Sequence, residues 1–491
     1  MKHSIKSTLL GGVLLFVLSM CLTSCEGSLD DVFGEWSKPT GNATSGGGSG
    51  TDGGSSASVS SLTFIVTNLK LGLNSTTPET LTATISPSDA TITWSSSDDA
   101  VATVDATGKV TPVAVGTATI TAKAGDKTAE CPVYVYAGKA SINDGDVTVT
   151  SGEWYIEGDG TEVTNTITIA DGASAILDGI NINNSAAGTT PCIICQGDAT
   201  ITLADGSNNT ITAKSTFAAI QAGGNGTDGK KLIIKAETAG TGKLTATAGS
   251  KAAAIGSNYD ASCGDIEIQG GDITANGGSY AAGIGSGMAG GTTLTCGVIT
   301  ISNGKVTANG GANGGSGIGT GSAVNGADDN QNGDQTCTGI TISGGIVVAT
   351  GGNNENGYSG GGAGIGTGGA KSNGGCTASQ KCTDITISGG DVTANGGSFA
   401  AGIGTGYVYY DSSTPKSSTQ KCDAITISGG TVTAKKGSTS PNSVGVGGKK
   451  TATGTYASYG SQTCTSITIG GDATTYAAGV ATSPFNYPLV P

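Results

Sequence analysis

Six cysteines in this 491-residue chain share one register. Cys263, Cys296, Cys337, Cys382, Cys422 and Cys464 each stand three residues before a short apolar run. Thiols at a fixed spacing suit three chemistries: disulfide pairing, metal ligation, or packing as small hydrophobes. Equivalent Cβ atoms on stacked parallel strands lie about 4.8 Å apart, beyond the ~3.5–4.5 Å that a good disulfide needs. Six thiolates in a line do not converge on a tetrahedron. A reduced internal ladder is the favoured reading, with disulfides as the alternative. Cys192 and Cys195 form a C-x-x-C, whose redox chemistry needs a helix N-terminus, but the segment reads as strand. Cys376 lies close enough in sequence to Cys382 to pair with it.

Other residues suit binding. Asp328, Asn330 and Asn332 alternate ahead of Gly333 and Asp334. Hard oxygen ligands two apart with a turn glycine form the front half of a calcium loop. The closing bidentate Glu is missing, since Gly339 stands there, and Asp334 or Asp329 would have to substitute. Ca²⁺ is the one cofactor this pattern suggests, against a plain solvated loop. Tyr407, Tyr409 and Tyr410 crowd into "GYVYY", and Tyr280 and Phe399 occupy matching places in "GGSYAAGIGSG" (277–287) and "GGSFAAGIGTG" (396–406). Aromatic faces on loops suit sugar rings, while the alternative is that they cap a narrow core. The Gly-x-Gly runs themselves do not read as phosphate loops, because no helical pattern follows any copy.

What is missing also carries weight. The chain has no arginine, and its single histidine is His3. Ser-His and Cys-His catalysis are excluded once a leader containing His3 is removed. Paired carboxylates remain open to glycoside chemistry, because proximity in the fold cannot be read from spacing. A net charge of -14 argues against nucleic acid or an anionic membrane surface as partner. The expected behaviour is binding without catalysis.

The elements that would position these residues are strands. Charged residues make up 12% of the chain, and glycine occurs 87 times beside many Thr, Ser, Val and Ile. That composition favours turns and short strands. Residues 1–25 read as an export signal, with Lys2 and Lys6, an apolar stretch from Leu9 to Met20, and "LTSC" ending at Cys25. This resembles a bacterial lipoprotein signal, which implies lipidation at Cys25. The acidic "EGSLDD" that follows resembles Bacteroidetes lipoproteins displayed on the outer face of the outer membrane. On that resemblance the protein touches the membrane through its lipid anchor only. Residues 26–58 form a tether, Gly/Ser/Thr-rich from 38 onward.

Residues 59–137 alternate apolar and polar positions between frequent turn signals, as a small β-sandwich does. The run "ITWSSSDDAVATVDATGKVTPVAVGTATITA" (92–122) resembles bacterial immunoglobulin-like group 2 domains, with Trp94 as a core residue. From 138 to 491 the chain repeats every 31 to 45 residues. First-strand openers fall at Ile167, Ile201, Leu232, Ile266, Ile299, Ile340, Ile385, Ile425 and Ile467. A third-strand ladder is expected at Ile194, Ile220, Ile255, Ile284, Ile318, Ile365, Ile403, Val446 and Val480. Stacked coils of three short strands explain this, about nine of them. The arrangement resembles right-handed parallel β-helices of bacterial surface proteins, some carbohydrate-binding and some pectin lyases or glycosidases. The expected fold is therefore all-β, a small immunoglobulin-like sandwich followed by a right-handed parallel β-helix. Its expected partner is a polysaccharide, or a glycan on a host or bacterial surface. The alternative is an envelope or adhesin component without a glycan ligand.

Overall fold

The computed structural model describes residues 58–470, apart from 76, 187, 325–332, 354–359, 373–376, 411–417, 439, 448 and 452–460. Cys25, Cys376, Asp328, Asn330, Asn332 and Val480 lie outside the described residues. Among the described residues regular structure is almost entirely strand, with one three-residue 3₁₀ turn at Ile142–Asp144.

The immunoglobulin-like domain is built from three small sheets. The largest runs in the order Leu69–Gly72, Lys127–Tyr136, Gly116–Ala124, Thr93–Ser96. Alternation decides its two faces. Leu71, Val133, Val135, Ala118 and Ile120 point inward and are buried, whereas Lys70, Tyr134 and Thr117 stand side by side on the outer face. Trp94 is half-buried and stacks on Phe64 at 5.8 Å, as expected of a core residue.

The remaining described residues form a right-handed parallel β-helix. Its first sheet holds eleven strands, from Gly138–Ser141 to Ser461–Ile469. Eleven rungs replace the expected nine coils, because the first turns lack the repeated "ITI" opener. At about 4.8 Å per rung the stack is roughly 48 Å long. The second sheet has eight strands, such as Asp272–Asn276, and the third has ten, such as Ile284–Gly285. All pair in parallel and in register, so like side chains stack on like. A fourth small sheet joins Ala323–Val324, Ala370–Ser372, Val408–Tyr410 and Lys449–Thr451 where the later coils widen.

The third-sheet ladder runs Val147, Ile167, Ile193, Ile220, Ile255, Ile284, Ile318, Ile365, Ile403, Val444. Four expected positions therefore move. Ile193, not Ile194, faces the core, and Val444, not Val446, continues the column. Ile167 belongs to this third sheet and is not a first-strand opener. In the first sheet Leu232 stacks on Ala199, so Ile201 is the second inward residue of its strand, aligned with Ile234. Each inward column is close to fully buried, which is what lets coils without individual cores form one continuous core.

The glycines after this ladder answer to geometry. Gly256, Gly285, Gly319, Gly366, Gly404 and Gly445 form a column with φ between +110° and +142°. A Cβ added at Gly319 would lie 1.9 Å from the Gly366 carbonyl oxygen. Corner and close approach, not ligand, account for the Gly-x-Gly repeats. Buried amides tie the widened coils together. Gln335, Gln380 and Gln420 donate to the carbonyls of Gly287, Gly321 and Gly368 at 2.9, 2.7 and 2.7 Å.

Candidate functional site

The outward face of the first sheet changes character along the stack. One in-register column reads Lys139, Tyr155, Ile176, Thr202, Lys235. Outward positions of a solenoid usually meet water, yet Tyr155 and Ile176 are buried. The immunoglobulin-like sheet covers them. Tyr136 stacks on Tyr155 with ring centroids 5.3 Å apart, and Ile176 and Ala204 complete the contact. Lys70 locks it from the other side, donating to the Tyr155 hydroxyl at 2.5 Å while its ammonium lies 4.1 Å from the ring centroid. The Tyr155 hydroxyl in turn donates to Asp178. Burial, then the Asp178 carboxylate, hold the Tyr155 phenol far above its ordinary pKa, so it stays a neutral donor. The backbone reinforces the joint, with Asn74 bonding both the N–H and the carbonyl of Lys139.

Beyond this contact the two sheets diverge and leave a cleft of about 780 Å³. That size falls within the range of small-ligand sites. The immunoglobulin-like wall carries Val115, 57% exposed, and Tyr134, 37% exposed, beside the polar Asn68, Lys70 and Thr117. The other wall is polar and carries Glu153, Thr202, Asp205, Lys235 and Glu237. Two of these, Lys235 and Glu153, have free capacity, whereas the Thr202 hydroxyl is sealed from the cleft. The Thr202 hydroxyl is buried without a hydrogen-bond partner. Lys235 and Glu153 are half-buried and make no ion pair among the described residues. Asp205 and Glu237 are partly engaged, Glu237 accepting the Asp205 N–H at 2.9 Å and Asp205 accepting the Ala239 N–H at 2.8 Å. Burial, then Glu237 and Glu153, which line the same cleft, push the Tyr136 phenol well above its usual value.

The aromatic residues singled out from the sequence do not assemble a platform. Tyr407 is buried, 3% exposed, with its ring 5.1 Å from that of Phe399. A Cβ at Gly360 would fall 1.7 Å from the Tyr407 ring, so that glycine makes room for the ring. Tyr407 thus caps the core and offers no face to a ligand. Tyr409 is half-buried in the small fourth sheet, with the Lys371 ammonium 5.7 Å from its ring. Tyr410 extends the same strand. Tyr280 and Phe399 sit half-buried at corners with φ of +70° and +64°. Of the calcium candidates only Asp334 lies among the described residues. It sits in a first-sheet strand, and its carboxylate accepts the Ser379 N–H at 3.1 Å. No group of three His, Cys, Asp or Glu side chains converges for a metal among the described residues.

The cysteines are free and buried wherever they are described. Burial pushes the Cys192 thiol up to about 11 and the Cys195 thiol up to about 12, so neither is a thiolate at neutral pH. The cleft residues come from seven separate stretches between 68 and 238, and no motif joins them. The legible signals were the alternation in "VYVY" (133–136) and apolar residues at outward first-sheet positions.

This two-part architecture has counterparts among known families. Residues 63–133 match the bacterial Ig-like domain (group 2) family, and residues 266–288, 299–322, 385–407 and 425–448 match the beta helix repeat family. An alpha-L-arabinofuranosidase of Bifidobacterium longum subsp. longum is 52% identical over 75 residues, 14% of this chain. A lacto-N-biosidase of Bifidobacterium bifidum is 51% identical over 73 residues, also 14% of this chain. The chain spans only 7% of the length of each of these curated relatives.

Proposed function

We propose that this protein binds carbohydrate at the cell surface, without catalysis, and that the cleft between its two domains is the glycan site. One observation carries the reading: the exposed side chains of Tyr134 and Val115 on one wall face Lys235 and Glu153, which make no ion pair among the described residues, on the other. A sugar ring matches both, its CH face against Tyr134 and Val115 and its hydroxyls toward Lys235 and Glu153. Lys235 donates to hydroxyl oxygens, and Glu153 accepts from hydroxyl hydrogens. Three carboxylates against two amines line the cleft, and Lys70 is already matched with Asp178, so the ligand is a neutral oligosaccharide. The short matches to two proteins named for acting on glycosides support a carbohydrate setting. The lack of arginine, and of histidine beyond His3, supports binding over turnover.

In this reading Cys25 carries the lipid and the tether holds the cleft away from the outer membrane, facing outward. Among the described residues no helix is long and apolar enough to cross a membrane. Cys25→Ala should move the protein from the membrane fraction to the soluble exported fraction.

The direct test is a glycan array probed with the full-length chain, Tyr134→Ala and Lys235→Ala. Both side chains are solvent-accessible, so neither change should shift the melting temperature much. Both variants should lose retention on the oligosaccharides that the unaltered chain binds. Binding that survives both changes would remove the cleft from consideration, and release of a shorter sugar from a bound oligosaccharide would show an enzyme.

A further inference from the structure

The six cysteines in register form a continuous file of sulfur inside the solenoid. Cys263 bridges to Cys296, and Cys296, Cys337, Cys382, Cys422 and Cys464 pair rung to rung. None is more than 5% exposed. The first two Sγ atoms are 3.4 Å apart. The later thiols stack in the same register and donate to backbone carbonyls, Cys337 to Gly339 at 3.6 Å, Cys422 to Ala424 at 3.7 Å and Cys464 to Ser466 at 3.4 Å.

We propose that this column is a linear binding site for soft monovalent d¹⁰ cations of the Cu(I) and Ag(I) class, one ion between each pair of neighbouring sulfurs. Thiolates select such ions. A two-coordinate linear ion holds its sulfurs twice a metal–thiolate bond apart, about 4.6 Å for bonds of about 2.3 Å. Stacked rungs repeat at about 4.8 Å, so cysteines sharing one rotamer present sulfurs at that spacing. Rotation about a Cα–Cβ bond opens the 3.4 Å contact to reach it. A disulfide fits less well, because it wants Cβ atoms about 3.5–4.5 Å apart. A tetrahedral ion would need more donors than the two each gap provides.

The charge also balances. Six sulfurs enclose five gaps. Five cations entering displace five thiol protons to solvent and leave one thiol protonated, so the loaded column is neutral. An apolar core tolerates nothing else, since an uncompensated buried charge is strongly disfavoured. Cys464, on the last described rung, is the most exposed of the six and marks the loading end.

Stoichiometry tests the arrangement. Reduced full-length protein is loaded with silver nitrate in chloride-free, oxygen-free buffer, and bound ions are counted by native mass spectrometry. An interior sulfur borders two gaps and a terminal sulfur borders one. Cys337→Ala should therefore bind two fewer ions than the unaltered chain, and Cys464→Ala one fewer. Cys422→Ala, a second interior change, should also lose two and guards against one variant misfolding. Bound silver on other cysteines cancels in these differences. Equal losses from interior and terminal variants, or no loss from either, would overturn the column. So would thiol counting on denatured, unreduced protein that found the six cysteines already oxidised.

Discussion

Replacing Gly319 by alanine isolates the corner geometry on which the solenoid depends. Gly319 has φ of +129°, a region that L side chains rarely adopt, and a strain of roughly 1–3 kcal/mol follows from that alone. Its new Cβ would also lie 1.9 Å from the Gly366 carbonyl oxygen, which is fixed backbone of the next rung. Relief requires the two rungs to part, and overpacking of that kind typically costs ~1–3 kcal/mol. The sum is about 2–6 kcal/mol. Gly339 is the control. It lies in a first-sheet strand without positive φ, and an added Cβ would meet its nearest atom at 3.7 Å. Alanine there should be neutral or stabilising by about 0.5–1 kcal/mol, as glycine weakens a strand interior. Urea unfolding followed by far-ultraviolet circular dichroism separates the two. If Gly319→Ala and Gly339→Ala unfold at the same midpoint, the corner argument fails.

Two further outcomes follow from the fold. Tyr407→Ala should destabilise by about 3–5 kcal/mol, the usual cost of emptying a buried aromatic site, while leaving array binding unchanged; weakened binding at unchanged stability would return Tyr407 to the surface. Acid should weaken the protein. The Thr107 hydroxyl lowers the carboxyl pKa of Asp105, the Thr161 N–H that of Asp159, and Lys230, Lys231 and Lys381 those of Asp171, Glu267 and Asp423. A depressed folded-state pKa contributes stability in full above the unfolded value and loses it as pH falls through the folded one. The loss should therefore begin below the ordinary values of 4.5 for Glu267 and 3.8 for the aspartates, and a urea midpoint that does not fall in that range would refute it.

Much of the solenoid could be read directly from the chain, because each coil states its own register. "ITI", "VTA" and "GIG" recur with their apolar residues at one face, so ladders from Ile220 to Ile403 fell where expected. The errors lie where the motif thins. "CIIC" offers two adjacent isoleucines, and only the partner strand decides that Ile193 turns inward. "SVGVG" likewise offers Val444 and Val446 with the same alternation. The cleft was hidden for a different reason. Its walls are outward faces of two sheets that meet only after both domains fold, and Tyr134 and Lys235 are 101 residues apart in the chain. Tyrosine density pointed to 407–410, where the widened coil buries Tyr407 instead.

The uniform rise of the rungs separates two properties that most folds tie together. The cleft draws only on the earliest rungs, through Lys231–Ala236 and the residues just after it, whereas the later coils extend the stack away from it. Deleting or duplicating one whole late coil would shorten or lengthen the rod by about 4.8 Å and leave every cleft residue in place. Projection can therefore drift by slippage of near-identical repeats while recognition stays under separate selection, and descendants differing in coil number should share one ligand.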